Sequence, residues 1–116
     1  DDAGARALAD ALTKGENSHV KSLVISYGGL LGAAGAKDLG EMLGKNSSLT
    51  KLSLSNVPLG DEGAKHIIAG AKESKCLVVL EMNYVRMSEG SGGALCELLE
   101  GSHSPKELNV VSNSLE

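Results

Sequence analysis

One apolar pattern recurs along this chain at a fixed interval. Leu49, Leu52, Leu54, Val57 and Leu59 are followed 28 residues later by Leu77, Leu80, Met82, Val85 and Met87. The same step carries Leu80, Met82 and Met87 to Leu108, Val110 and Leu115. Towards the N-terminus, Leu49, Leu52 and Leu54 match Val20, Leu23 and Ile25 at an interval of 29. The added residue lies within Tyr27-Gly28-Gly29-Leu30, and the 28-residue interval returns where Gly35-Ala36-Lys37 matches Gly63-Ala64-Lys65. A period of this length means stacked supersecondary units, each burying its apolar face against its neighbours.

The two halves of the unit carry different periodicities. The LxxLxL half alternates with period 2, as a strand with one buried face does. It predicts strands over Ser22–Ser26, Lys51–Ser55, Val79–Asn83 and Glu107–Val111. The other half carries i, i+3, i+4 stripes: Leu8/Ala11/Leu12, Leu39/Met42/Leu43, Ile67/Gly70/Ala71 and Leu95/Leu98/Leu99. These predict amphipathic helices over Asp2–Lys14, Ala33–Lys45, Asp61–Glu73 and Glu89–Gly101. Asp61 and Glu62 stand at a helix start and Lys45, Lys72 and Lys75 near helix ends, the signs the helix dipole favours. Gly15, Gly44 and Gly101 stand where helices should stop, and Pro58 and Pro105 fall outside the elements. The third helix carries Gly70 and Ala71 where the others have larger residues. It is therefore expected to pack thinly and to be the least stable, with a propensity loss of about 1 kcal/mol at Gly70 against Ala.

Parallel strands joined by helical crossovers give a right-handed α/β solenoid, with the sheet on the concave side and the helices on the convex side. The units run 1–19 (partial), 20–48, 49–76, 77–104 and 105–116 (partial), forming one domain. The chain opens on a helix without its strand and closes on a strand without its helix. This is expected of a fragment of a longer array, or of ends that associate with another chain.

The segment Asn46-Ser-Ser-Leu-Thr-Lys-Leu-Ser-Leu-Ser-Asn-Val-Pro-Leu-Gly-Asp-Glu-Gly-Ala-Lys resembles a leucine-rich repeat of the ribonuclease-inhibitor type, and the resemblance extends over essentially the whole chain. That class includes ribonuclease inhibitor, the Ran GTPase-activating protein and the repeats of NOD-like receptors. The resemblance implies the horseshoe fold just derived, and a rim and concave surface through which such arrays contact partners. The Asn of the family's LxxLxLxxN motif is present at Asn113 but replaced by Val57 and Val85, and by Gly28 or Gly29 in the first full unit. Those loops must be satisfied in another way.

Composition excludes several classes of function. Aromatics make up 2% of the 116 residues, with no Trp or Phe, which disfavours base-stacking modules and carbohydrate platforms. The net charge of -4 is the wrong sign for a nucleic-acid surface. Two cysteines make no disulfide framework and fit a reducing, cytoplasmic location. The longest uncharged stretch, Ser22 to Ala36, is too short and Gly-rich to span a membrane. The glycines from Tyr27 to Gly35 do not fit GxGxxG, and Gly32 and Gly35 are accounted for by their repeat partners Gly60 and Gly63. Gly40-Glu-Met-Leu-Gly-Lys-Asn lacks the spacing and hydroxyl of a phosphate loop. His19, His66 and His103 are not at metal-ligand spacing, and Cys76 and Cys96 form no CxxC. Asn46-Ser47-Ser48 is a formal glycosylation sequon that an intracellular protein would not use. The chain is therefore expected to be non-enzymatic, with no cofactor and no metal.

The alternate strand positions face the hollow. They form one row of Val24, Ser53, Glu81 and Asn109 and a second of Ser26, Ser55, Asn83 and Val111. A third row, just past the strands, holds Tyr27, Asn56, Tyr84 and Ser112. Both tyrosines of the chain fall in it, and Tyr is an effective interface anchor. The alternative is that each Tyr merely covers the bend. Arg86 lies on the rim. The leading expectation is a protein-interaction scaffold that binds another protein through this surface. The alternatives are a GTPase-activating type of regulator, by resemblance to the Ran regulator, and a structural subunit of a large intracellular assembly.

Overall fold

The computed structural model describes residues 2–13, 19–26, 32–101 and 105–111. Among these residues four helices and four strands alternate: α1 (Asp2–Thr13), β1 (Ser22–Ser26), α2 (Ala33–Lys45), β2 (Lys51–Ser55), α3 (Gly60–Glu73), β3 (Val79–Asn83), α4 (Gly92–Glu100) and β4 (Glu107–Asn109). A 3-10 turn at Glu89–Ser91 precedes α4. The strands pair in parallel in the order β1-β2-β3-β4. Leu23, Leu52, Leu80 and Leu108 share one register, so the sequence period is the sheet register. The molecule is 17 Å across its thinnest dimension, the depth of one sheet and one helix layer.

The core lies between these layers. Leu52, Leu54, Leu80 and Met82 on the inner sheet face meet Leu39, Ile67 and Leu98 on the helices, all of them fully buried. Each such side chain contributes roughly 1.5–3 kcal/mol relative to exposure. Val57 and Val85, which replace the family's Asn, are also fully buried. Main-chain bonds take over there: Leu59 N donates to Val57 O (2.8 Å) and Gly60 N to Val85 O (3.0 Å).

The helix-to-strand loops interlock. Asn46 is 8% exposed, and its Nδ2 donates to Leu12 O at 2.9 Å. Its Oδ1 accepts from Ser48 N (2.9 Å) and Leu49 N (2.6 Å). The amide that a glycan would require is thus committed inside the fold. One unit later Ser74 plays the same part, its Oγ accepting from Cys76 N (3.3 Å) and Leu77 N (3.1 Å). Cys76 Sγ then donates back to Leu49 O at 3.2 Å.

Several expectations need correction. α3 does not pack thinly. A Cβ built on Gly70 would fall on the Gly40 carbonyl, and one on Gly40 would fall on the His66 carbonyl. Helices α2 and α3 meet backbone to backbone there, and the missing side chains make that approach possible. Close dispersion contact offsets the propensity loss. α4 does not begin at Glu89, because the chain makes the 3-10 turn first, and it ends at Glu100. α3 starts one residue early, at Gly60, whose φ of 69° suits glycine. β4 stops at Asn109, although Val111 still bonds the end of β3, donating its N–H to Asn83 Oδ1 and accepting from Tyr84 N at its carbonyl. Lys14, Gly15, Tyr27 to Leu31, His103 and Ser112 to Leu115 lie outside the described residues.

Candidate functional site

The pleat sends Val24, Ser53, Glu81 and Asn109 to one face of the sheet, and the pairing sets them side by side. Glu81 is the hub of this row. Its Oε2 accepts from Asn109 Nδ2 at 3.2 Å, and its Oε1 lies 3.8 Å from Lys51 Nζ. Lys51 was legible as a member of this face, since it precedes Ser53 by two residues, but it was not among the expected residues. Ser53 needs correction as a contact residue: it is 7% exposed, a small side chain between larger neighbours. Val24, by contrast, is 58% exposed.

The second row comes together as expected. Ser26, Ser55 and Asn83 are in register. Ser55 Oγ accepts from Asn56 Nδ2 at 3.3 Å, and Asn83 Oδ1 accepts from Val111 N at 2.9 Å. That bond fixes Val111 beside β3 while 56% of its surface stays open.

In the third row, Asn56 and Tyr84 both have φ of 58°. Their amides donate to Asn83 O (3.0 Å) and Val111 O (3.1 Å), so the chain turns the corner with its main chain paired. Asn tolerates this left-handed conformation, whereas Tyr adopts it at a cost of roughly 1–3 kcal/mol. Arg86, also left-handed at φ 62°, flanks the buried Val85 on the other side. Tyr84 is 52% exposed and Arg86 is exposed. Tyr27 and Ser112 lie outside the described residues, so the pairing of the two tyrosines remains an expectation.

Sequence reasoning assigned Asp61 only a dipole role. Its carboxylate also accepts from Ser88 N (2.8 Å), from Ser88 Oγ and from Ser91 Oγ across the unit boundary. The Ser88 hydroxyl and amide and the Ser91 hydroxyl, helped by the charge of Lys65, lower its pKa from 3.8 to about 2 against a small opposing effect of burial. The spacing of 27 and 30 residues was visible in the sequence, but nothing in the pattern pairs an acid with those two serines. This cluster is a clamp between units.

Among the described residues no group of His, Cys, Asp and Glu is placed to hold a metal ion. Cys76 and Cys96 are free thiols. Among the described residues no helix is long and apolar enough to cross a membrane.

Comparison with known proteins matches this geometry. Residues 16–40 and 45–67 match the family described as Leucine Rich repeat. The chain is 34% identical, over 99% of its length, to the NACHT, LRR and PYD domains-containing protein 5 of Bos taurus, and covers 10% of that protein. It is 33% identical over 83 residues (71% of this chain and 18% of the relative) to the ribonuclease inhibitor of Sus scrofa. The chain thus spans less than a fifth of either relative. Among solved structures, the leiomodin-1 actin-binding site 2 superposes with a TM-score of 0.79 at 16% identity, over 93% of this chain and 61% of that one. The tropomodulin C-terminal domain of Caenorhabditis elegans gives 0.72 at 17% identity, over 97% of this chain and 65% of that one. With its register-matched strands, one helix per unit and these relatives, the chain belongs to the leucine-rich repeats of the ribonuclease-inhibitor-like class.

Proposed function

We propose that the chain is a non-enzymatic scaffold that holds another protein on its concave face and adjoining rim. The observation that carries this reading is the open surface made by Val24, Tyr84 and Val111 around the Lys51–Glu81–Asn109 network. Exposed apolar and aromatic groups around a polar, hydrogen-bonded centre are the makings of a protein-binding patch. Tyr84 supports it further, because a left-handed conformation is costly for Tyr and the residue stays 52% exposed. The leiomodin-1 neighbour is an actin-binding site built on this fold, which supports protein recognition as a use of the architecture and does not name this chain's partner.

The test is capture from cell extract by the wild-type chain and by a variant combining Glu81→Lys, Tyr27→Ala and Tyr84→Ala, with circular dichroism to check folding. Partners retained by the wild type should be lost from the folded variant. A folded triple variant that captures the same proteins rules the concave face out.

A further inference from the structure

A second surface lies on the edge of the array where helices end and strands begin. Thr50 N donates to Lys21 O, Val78 N to Thr50 O and Lys106 N to Val78 O, each at 2.8 Å. Lys21 and Lys106 therefore hold equivalent places before β1 and β4, three strand spacings or roughly 14 Å apart. Lys45, the last residue of α2, and Lys75, in the loop between α3 and β3, line an open depression of about 460 Å³ together with Gly44, Asn46, Ser47 and Cys76. All four lysines are exposed, and none forms an ion pair among the described residues. The Asn46 amide and the Cys76 sulfur are committed to backbone partners, which leaves the ammonium groups and the exposed Ser47 to meet a ligand.

We propose that this edge binds an acidic polypeptide segment lying across the strand starts, with its carboxylates between Lys45 and Lys75 and towards Lys21 and Lys106. The charge pattern is directional. On the opposite edge Asp61 and Glu62 begin α3 and Glu89 begins the turn before α4, so an acidic chain is steered to the lysine side. Glu73 lines the α2–α3 groove together with Gly44 and Lys45, Glu100 ends α4 and Glu107 begins β4 on the concave face, so the four lysines of this edge face three carboxylates. The C-termini of α2 and α3 each add about half a negative charge, together less than the two ammonium groups supply. Among its described residues this edge carries no arginine or aromatic side chain, which fits a carboxylate chain better than a stacked nucleic acid.

The probe is a fluorescein-labelled oligoglutamate of about six residues, long enough at roughly 3.3 Å per residue to cover the row. Its anisotropy is titrated at low and at physiological salt. Binding to the wild-type chain should weaken with salt and fall by about tenfold or more in Lys45→Glu/Lys75→Glu, on the strength of two close charge reversals. A second pair, Lys21→Glu/Lys106→Glu, should also weaken it and stands in if the first variant fails to fold. The pair Lys37→Glu/Lys65→Glu, with the same change in net charge in the early turns of α2 and α3, should bind like wild type. No binding at low salt, or equal loss in the helix-layer pair, overturns the proposal. So does a single-stranded oligonucleotide of matched charge that binds as tightly as the peptide. Because the concave-face variant leaves these lysines intact, its failure and the failure of this edge are separable.

Discussion

At Asp61 one carboxylate joins two units, accepting from the Ser88 amide and from the hydroxyls of Ser88 and Ser91. Those bonds exist for the ionised form, and they hold its pKa at about 2 against an ordinary 3.8. A group whose pKa is lower in the folded chain stabilises the fold above its unfolded pKa, and loses that contribution as pH falls through the folded one. The stabilisation from Asp61 should therefore be complete above about pH 5 and fade between about pH 4 and pH 2. Urea midpoints of wild type and Asp61→Asn measured from pH 7 to pH 2 should show a constant gap that narrows only in that acid window. A gap that stays level to pH 2 would mean that the carboxylate's charge is not what Ser88 and Ser91 hold. Ser91 is buried, so in the variant its hydroxyl loses its charged acceptor, and the turn ahead of α4 should loosen first.

Helices in this chain are positioned by what their small residues admit. Gly70 sits in the middle of α3, where propensity alone makes Ala the better residue by about 1 kcal/mol. The Gly40 backbone occupies the place where that methyl would go. Gly70→Ala should accordingly destabilise the chain by about 1–3 kcal/mol, the cost of overpacking a contact that cannot yield without moving a backbone. Chemical denaturation reads the sign directly, and a more stable Gly70→Ala would show that the two helices do not meet in this way. The same residue shows where sequence reading stops. The strand and helix bounds of α2, β2 and β3 could be read from Leu39, Leu52 and Leu80, because a repeat writes the same apolar spacing several times. The Gly40–Gly70 approach could not, because an absent side chain looks like a weak core position until the neighbouring helix is in place. The candidate surface divides in the same way. Alternation puts Val24, Glu81 and Asn83 on one face with Ser53, but it does not say how much of each side chain stays open, and Ser53 is buried. Nor does it give the backbone conformation that Tyr84 and Arg86 share.

For the whole molecule, stability should follow position along the array. Strands β2 and β3 are hydrogen-bonded on both sides, whereas β1 and β4 each have one neighbour in the sheet. Burial follows the pairing: Leu52, Leu54, Leu80 and Met82 are fully buried, while Leu23, Ile25 and Leu108 are half-buried. In an array where each unit contacts only its neighbours, stability is close to a sum of unit and interface terms, and the units with two interfaces open last. Hydrogen exchange of the 116-residue chain should find its slowest amides in β2, β3 and the helices α2 and α3. Exchange should quicken outward through α1, β1 and β4. Leu80→Ala, inside the array, should cost about 2–5 kcal/mol, and Leu23→Ala less, because its cavity opens towards solvent. Uniform protection from β1 to β4 would instead mean that the chain opens all at once, and the neighbour-by-neighbour account would fail. A graded profile also bears on the lysine edge, since Lys45 and Lys75 are anchored in its slow centre and Lys21 and Lys106 at its faster margins. The central depression would then be pre-formed for a carboxylate, with the flanking lysines settling onto the peptide after it docks.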